Sequence, residues 1–208
     1  MEKNAQAPGN PAGDFATKKN AQANGHFSIR NAENSDLPRM LEIYAHARKF
    51  MAENGNPRQW GITGWPPGEV LEKDIRSGSS YVCEISEDGK GDAKTGKRRV
   101  VGTFFFAEGP HIEKTYDDIS DGEWLSSVKC GEAGNTYGVV HRLAGDGSVK
   151  GIGAFCLNWA YEKSGHLRVD THPDNKVMQG LLEKLGFIRC GTVHAAEDDD
   201  PRIAYEKL

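Results

Sequence analysis

The spacing of apolar positions divides the first part of the chain into a strand and a helix. Alternation over His26-Phe27-Ser28-Ile29-Arg30 predicts a first strand. Asp36 can cap the helix that follows, Pro38 is tolerated in its first turn, and Gly55 is expected to end it. Its apolar side chains recur every three or four residues, as expected for one face packed on a core: Leu37, Met40, Leu41, Tyr44, Ala47, Phe50 and Met51.

A short helix and a pair of strands follow. The pattern predicts a helix over 69–76, a strand over 79–86 and a buried strand over 99–107 that contains three consecutive phenylalanines. The polar, Gly-rich stretch 88–97 lies between the two strands and predicts a hairpin. Residues 109–135 are acidic and irregular, and because a plain connection is rarely so long, we expect this insert to cover a binding site.

The second half of the chain alternates strands with helices. The predicted elements are a strand over 137–143, a helix over 151–163, a strand over 166–171, a helix over 175–185 that Gly186 ends, and strands over 187–190 and 203–206. This succession is typical of an α/β fold.

Size and composition indicate one folded domain preceded by a tail. The chain has 208 residues, of which 37% are hydrophobic and 27% charged, as is usual for one globular domain over 26–208. Residues 1–25 are rich in Ala, Asn, Gly, Lys and Pro, and we expect them to be disordered because they offer little apolar surface to bury.

Charge and hydropathy limit the classes of partner. A formal net charge of −4 argues against nucleic acid and suits a small or cationic partner. No apolar run is long enough to span a bilayer, and the first residues lack a signal peptide's apolar core, so a cytoplasmic location is expected. The four cysteines are scattered and none forms a C-x-x-C pair, so neither a metal site nor a disulfide framework is predicted: Cys83, Cys130, Cys156 and Cys190.

A glycine-rich loop joins the strand over 137–143 to the next helix. It reads Leu143-Ala144-Gly145-Asp146-Gly147-Ser148-Val149-Lys150-Gly151-Ile152-Gly153-Ala154. Glycines let the backbone come close to a ligand, and the free amides at the start of a helix attract phosphate. Lys150 adds a full positive charge beside these amides. The same glycines could serve only a tight turn. The Walker and Rossmann patterns are both absent.

Three neighbouring motifs together resemble the acetyl-CoA half of the GNAT superfamily of N-acetyltransferases. They are Val140-His141-Arg142-Leu143-Ala144 before the loop, Lys150-Gly151-Ile152-Gly153-Ala154 within it, and Asp174-Asn175 followed by Leu181-Leu182-Glu183-Lys184-Leu185-Gly186-Phe187. The resemblance covers about residues 137–191. It implies a mixed, mostly antiparallel central sheet with flanking helices, a splayed strand pair at the cofactor site, and acetyl-CoA as cofactor.

The resemblance also implies roles for individual residues. The backbone of Leu143 and Ala144 would bind the pantetheine arm of coenzyme A, and Asn175 would contact that arm near its thiol. The diphosphate would be bound by the backbone amides of Val149, Lys150, Gly151, Ile152, Gly153 and Ala154.

Two positions depart from the family pattern. Ser148 stands where the family usually has Arg or Gln, so Lys150 would supply more of the charge. Leu182 stands where a tyrosine commonly protonates the departing thiolate, so that general acid is absent.

Acetyl transfer to an amine needs a base to remove a proton. His141 lies two residues before Leu143 on the same face of a strand, and it matches a histidine that certain arylalkylamine acetyltransferases use in proton removal. Histidine is the side chain whose unperturbed charge change falls near neutral pH. A purely structural histidine remains the alternative. Asp170 and His172 end the next strand; for both a structural role is favoured, and Asp170 is a candidate for orienting a neighbour.

The acceptor is less well determined by the sequence. Trp60, Trp65 and Trp124 could frame its pocket or simply pack. The acidic side chains in and just before the insert could attract a cation or simply be solvated: Glu108, Asp117, Asp118, Asp121 and Glu123. The main hypothesis is transfer of an acetyl group from acetyl-CoA to a small-molecule primary amine by direct attack in a ternary complex, without metal. Alternatives are a non-catalytic acyl-CoA-binding module and a protein or peptide N-acetyltransferase. A homodimer is left open.

Overall fold

The computed structural model of the protein describes residues 26–61, 63–86, 98–130, 135–196 and 199–208. The tail over 1–25 and the turn over 88–97 therefore lie outside the described residues, as does the side chain of Cys130.

Seven strands form one twisted sheet in the order β1-β2-β3-β4-β5-β7-β6. Their bounds are β1 Phe27–Asn31, β2 Ser80–Ser86, β3 Arg98–Pro110, β4 Thr136–Gly145, β5 Leu167–Thr171, β6 Ile188–His194 and β7 Pro201–Lys207. Neighbouring strands are antiparallel except β4 and β5, which are parallel. The predicted hairpin of β2 and β3 and the mixed, mostly antiparallel sheet are confirmed.

Helices cover both faces of this sheet. They are α1 Leu37–Glu53, α2 Gly68–Arg76, α3 Leu125–Cys130, α4 Ile152–Ser164 and α5 Lys176–Lys184. Because successive strand residues point to opposite faces, Val82 packs with the core under α1, whereas its neighbour Cys83 packs with the core under α4. A third cluster, built around Tyr116, Trp124 and Tyr137, lies beneath the insert.

The parallel pairing of β4 with β5 is short. Among the described residues it covers only two pairs, Gly138 with Leu167 and Val139 with Arg168. Beyond Val139 the strands separate, and a bulge in β4 opposite β3 places Arg142 in the left-handed region with a φ of 54°. This splayed pair is the feature that the resemblance implies for the cofactor site.

The insert is more ordered than its sequence indicates. Residues 109–135 contain a short 3₁₀ helix over Lys114–Tyr116 and the helix α3, where an irregular connection was expected. The prediction was wrong here because one or two turns are too short to show an apolar period, and their stability comes from tertiary packing. Tyr116 and Trp124, which are both buried, provide that packing.

A buried ion pair fastens the insert to the sheet. Arg168 Nε donates to Glu206 Oε1 over 2.8 Å, and both side chains are almost fully buried. The Arg168 guanidinium lies between two rings, 4.3 Å from the centroid of Trp124 and 4.0 Å from that of Tyr137. Ser126 joins the pair, because its backbone N–H and its hydroxyl both donate to Glu206. The insert thus has a fixed position over β4 and β5.

Candidate active site

One cleft joins the glycine loop to His141. Its volume is about 890 Å³, and it passes from the loop, along the open edge of β4, to the segment between α1 and α2. The part nearest the loop is lined by Val149, Gly151, Gly153 and Asn175, and the far part by Phe50, Trp60, Trp65, Glu113 and Asp170. A ligand bound at the loop could therefore extend as far as the histidine.

Two glycines in the loop before α4 have a positive φ, which is 74° at Gly147 and 91° at Gly151. A Cβ on Gly147 would overlap the ring of His46, so the backbone is closely fitted against α1. Gly151 is the N-cap of α4, and no side chain caps the helix there. The first amides of α4 thus remain donors for a ligand in the cleft.

Asp146 holds this loop through two arginines from other elements. Its Oδ2 accepts from Arg39 on α1 over 2.6 Å and from Arg99 on β3 over 2.7 Å, and its Oδ1 accepts from the backbone N–H of Ser148 over 2.9 Å. Burial acts to raise the pKa of Asp146, but the Ser148 hydrogen bonds and the two arginine charges outweigh it and lower that pKa. Arg99 also donates to the Ser148 hydroxyl over 3.1 Å. An arginine from β3 therefore reaches the position where the family usually has Arg or Gln.

His141 lies between two carboxylates. Its Nε2 is 3.1 Å from Glu113 Oε2, and its Nδ1 is 3.7 Å from Asp170 Oδ2. All three side chains line the cleft and are partly exposed, by 21% for His141, 25% for Glu113 and 17% for Asp170. The buried hydroxyl of Tyr116 donates to Asp170 Oδ2 over 2.7 Å and fixes that carboxylate.

Glu113 stays ionised throughout the physiological range. Partial burial acts to raise its pKa, but hydrogen bonds from His141 and Thr115, with the favourable charge of His141, lower the pKa of Glu113 to about 2. An ionised carboxylate only accepts hydrogen bonds, so the hydrogen in the 3.1 Å contact belongs to His141 Nε2. A neutral His141 then has its lone pair on Nδ1, opposite Asp170.

Burial and the Asp170 charge raise the pKa of Tyr116 well above its ordinary value. Tyr116 therefore acts as a hydrogen-bond donor that positions Asp170.

The strand residue after His141 contributes a second ion pair to the cleft. Arg142 donates to Asp74 Oδ2 over 2.6 Å, and its guanidinium lies 4.7 Å from the ring centroid of Phe105. Burial raises the pKa of Asp74, although the charge of Arg142 opposes this. The Tyr44 hydroxyl donates to the Arg142 carbonyl over 3.0 Å and supports the bulge.

Asn175 is the N-cap of α5, and its Oδ1 accepts from the Met178 backbone N–H over 3.1 Å. Its Nδ2 donates to Gln59 Oε1 over 3.0 Å, across the cleft. The helix that begins at Asn175 is thus joined to the segment between α1 and α2.

The structure brings most of the sequence-predicted residues to the cleft. Lining it are His141, Leu143, Ala144, Val149, Gly151, Ile152, Gly153, Asp170 and Asn175. Lys150, which is exposed, and Ala154 lie outside this lining. Of the three tryptophans, Trp60 and Trp65 line the cleft, whereas Trp124 is buried beneath the insert against Arg168.

The acidic side chains that were singled out in the insert do not line the cleft. Glu113 does, and sequence analysis missed it because nothing in the local pattern separates it from its acidic neighbours. Leu182 is fully buried in the core.

In the described part of the chain, no helix is long and apolar enough to cross a membrane.

Solved structures of GNAT-family acetyltransferases are similar to this fold. One from Streptococcus agalactiae 2603 is 29% identical over 88% of this chain and 95% of its own, with a TM-score of 0.70. One from Listeria monocytogenes 4b F2365 is 18% identical over 87% of this chain and 94% of its own, with a TM-score of 0.55, and supports the fold alone. No family model and no curated protein matches the sequence. The splayed strands, the uncapped glycine turn before α4 and the similarity to the streptococcal acetyltransferase show a GNAT-type fold and support an acyltransferase enzyme.

Proposed function

We propose that this enzyme transfers an acetyl group from acetyl-CoA to the primary amine of a small cationic molecule, by direct attack in a ternary complex. The observation that carries the proposal is a continuous cleft, which joins an uncapped helix N terminus to a histidine held between two carboxylates.

The cofactor half of the cleft fits acetyl-CoA. Free amides at the start of α4 suit a diphosphate, and the unpaired edge of β4 beyond Val139 suits the amide groups of the pantetheine arm. We assign the arm to the backbone of Leu143 and Ala144 and to Asn175, and the diphosphate to the amides of Val149 to Ala154. Bound acetyl-CoA supplies an acyl carbon activated as a thioester.

The acceptor half is suited to an ammonium group. In neutral His141 the lone pair on Nδ1 faces Asp170 Oδ2 across 3.7 Å, so two hydrogen-bond acceptors meet without a donor between them. An amine nitrogen close to this gap would donate to both atoms. The aromatic wall formed by Phe50, Trp60 and Trp65 suits an apolar body attached to that amine.

His141 is assigned as the general base. As the C–S bond of the thioester breaks and the nitrogen bonds to the acyl carbon, the bound ammonium gives up two protons. One goes through water to the departing coenzyme A thiolate, and the other, lost first to free the nitrogen lone pair, goes to Nδ1 of His141. The resulting imidazolium is stabilised by Glu113 at Nε2 and by Asp170 at Nδ1. Glu113, with a pKa of about 2, is too weak a base to replace the histidine, so it serves as a charge partner.

Three measurements test this function. Acetyl-CoA is expected to raise the melting temperature, and a panel of primary amines, polyamines and peptides should contain small cationic amines that release free thiol together with the N-acetyl product. Double-reciprocal plots of the initial rate, taken at several concentrations of the second substrate, should give intersecting lines, as a ternary complex requires. Parallel lines would indicate a covalent enzyme intermediate. Stabilisation without thiol release would support a non-catalytic binding module, and acetylation confined to peptides would support a peptide acetyltransferase. No effect of acetyl-CoA at millimolar concentration would refute the assignment of the cofactor.

A further inference from the structure

Three side-chain amides form a chain from the acceptor wall to the helix α5. Gln59 Oε1 accepts from Asn56 Nδ2 over 2.8 Å and from Asn175 Nδ2 over 3.0 Å. Gln59 and Asn175 both line the cleft, and 116 positions separate them in the sequence. This contact is therefore a direct connection between the two halves of the site.

The hydrogen bonds of Asn175 leave one donor for a ligand. Its Oδ1 accepts from Met178 and caps α5, and one hydrogen of Nδ2 is donated to Gln59. A primary amide has two N–H donors, so the second hydrogen on Nδ2 is free of these contacts. Because the other two bonds fix the amide plane, they also fix the direction of that hydrogen.

Gln59 can impose this direction because its own position is fixed from the other side of the cleft. Asn56, which is 2% exposed, donates to the same oxygen and also contacts Met51 Sδ on α1 over 3.6 Å. Trp60, the next residue after Gln59, is buried against the ring of Tyr44 with centroids 5.8 Å apart. The oxygen that orients Asn175 thus belongs to the same short segment as part of the acceptor wall.

We propose that Gln59 is a positioning residue for cofactor binding, which orients the Asn175 amide towards the bound coenzyme A arm and links that orientation to the acceptor wall. The proposal rests on the proposed binding of acetyl-CoA. Gln59 acts through Asn175 and needs no contact of its own with the cofactor.

The test measures coenzyme A binding by titration calorimetry, without acceptor and without turnover. Gln59→Ala removes the oxygen, and we expect it to weaken binding by about two- to tenfold, the range of one hydrogen bond. Gln59→Glu is the matched control, because a carboxylate accepts from both Asn56 and Asn175, and it should bind coenzyme A within about twofold of the unsubstituted protein. Melting temperatures identify any variant that is not folded.

A second pair of variants separates positioning from a general structural effect. Asn175→Asp keeps an oxygen that caps α5 but has no N–H to donate to a ligand or to Gln59. If Gln59 acts through Asn175, adding Gln59→Ala to Asn175→Asp should not weaken binding further. The role of Gln59 would be overturned if the two substitutions weakened coenzyme A binding additively, or if Gln59→Ala bound as well as the unsubstituted protein. Either result would leave the proposed function standing. Failure of the unsubstituted protein to bind coenzyme A would overturn the proposed function and this inference together.

Discussion

Replacing Arg168 with Met should destabilise the whole protein, because it leaves Glu206 as a buried charge with fewer partners. Breaking one side of a buried ion pair costs about 3–5 kcal/mol. Glu206 keeps hydrogen bonds from His166 and Ser126, so we expect the lower end, about 3 kcal/mol. For a chain of this size that loss lowers the melting temperature by roughly 6–12 °C.

The lowered pKa of Glu206, to which Arg168 contributes together with two other partners, corresponds to an energy of similar size. Burial acts to raise its pKa, but hydrogen bonds from His166, Ser126 and Arg168 lower it from 4.5 to about 2. That difference corresponds to about 3 kcal/mol of preference for the ionised form in the folded protein. A carboxylate whose pKa falls on folding stabilises the protein above pH 4.5, and the stabilisation is lost as the pH falls from there towards 2.

Calorimetric and urea unfolding between pH 3 and pH 8 provide the measurement. Arg189→Met is the matched control, since Arg189 is exposed on β6; it should change the free energy of unfolding by less than about 0.5 kcal/mol. Arg168→Met should also reduce the loss of stability on acidification, because Glu206 then has fewer charged partners. A change below about 1 kcal/mol at pH 7, with the acid dependence of the unsubstituted protein retained, would refute the reasoning.

Three further substitutions test the active site. His141→Gln should lower the rate of acetyl transfer by on the order of 10²-fold without changing coenzyme A affinity, and an unchanged rate would exclude it as the base. Glu113→Gln should lower kcat/KM by about 10- to 100-fold, since the His141 imidazolium loses a charged hydrogen-bond partner at Nε2; an unchanged kcat/KM would contradict its role as a charge partner. Gly147→Ala should destabilise the protein by about 1–3 kcal/mol because of its positive φ and the overlap with His46, whereas Gly68→Ala, which has open space around it, should be nearly neutral in thermal unfolding.

Much of the fold follows from local patterns in the sequence. The apolar spacing from Leu37 to Met51 predicts α1, which the structure places over Leu37–Glu53, and Gly55 and Gly186 follow helix ends with positive φ. These signals are strong because they arise within one element and need no knowledge of its neighbours. The insert carries no such signal, since its two helical segments depend on packing against β4 and β5.

The candidate site was only partly predictable for the same reason. His141 could be selected by its place on a strand two residues before Leu143. Glu113 could not, because its importance depends on a tertiary contact with His141 across 28 positions of the chain. Nor does any local pattern indicate that Gln59 would meet Asn175, or that Arg99 from β3 would reach the glycine loop.

The early separation of β4 from β5 leaves a sheet edge without a partner strand in the middle of the molecule. Exposed edges at the border of a sheet can pair with another chain, which promotes aggregation. The residues of this edge line the cleft, so an extended ligand with amide groups can reach it more readily than the strand of a second protein. A ligand bound along this edge would continue the backbone hydrogen bonding of β4 beyond Val139. Amide hydrogen exchange in the second half of β4 should therefore slow when coenzyme A binds. Binding of coenzyme A in this gap would thus make the stability of the sheet's centre depend on the ligand concentration.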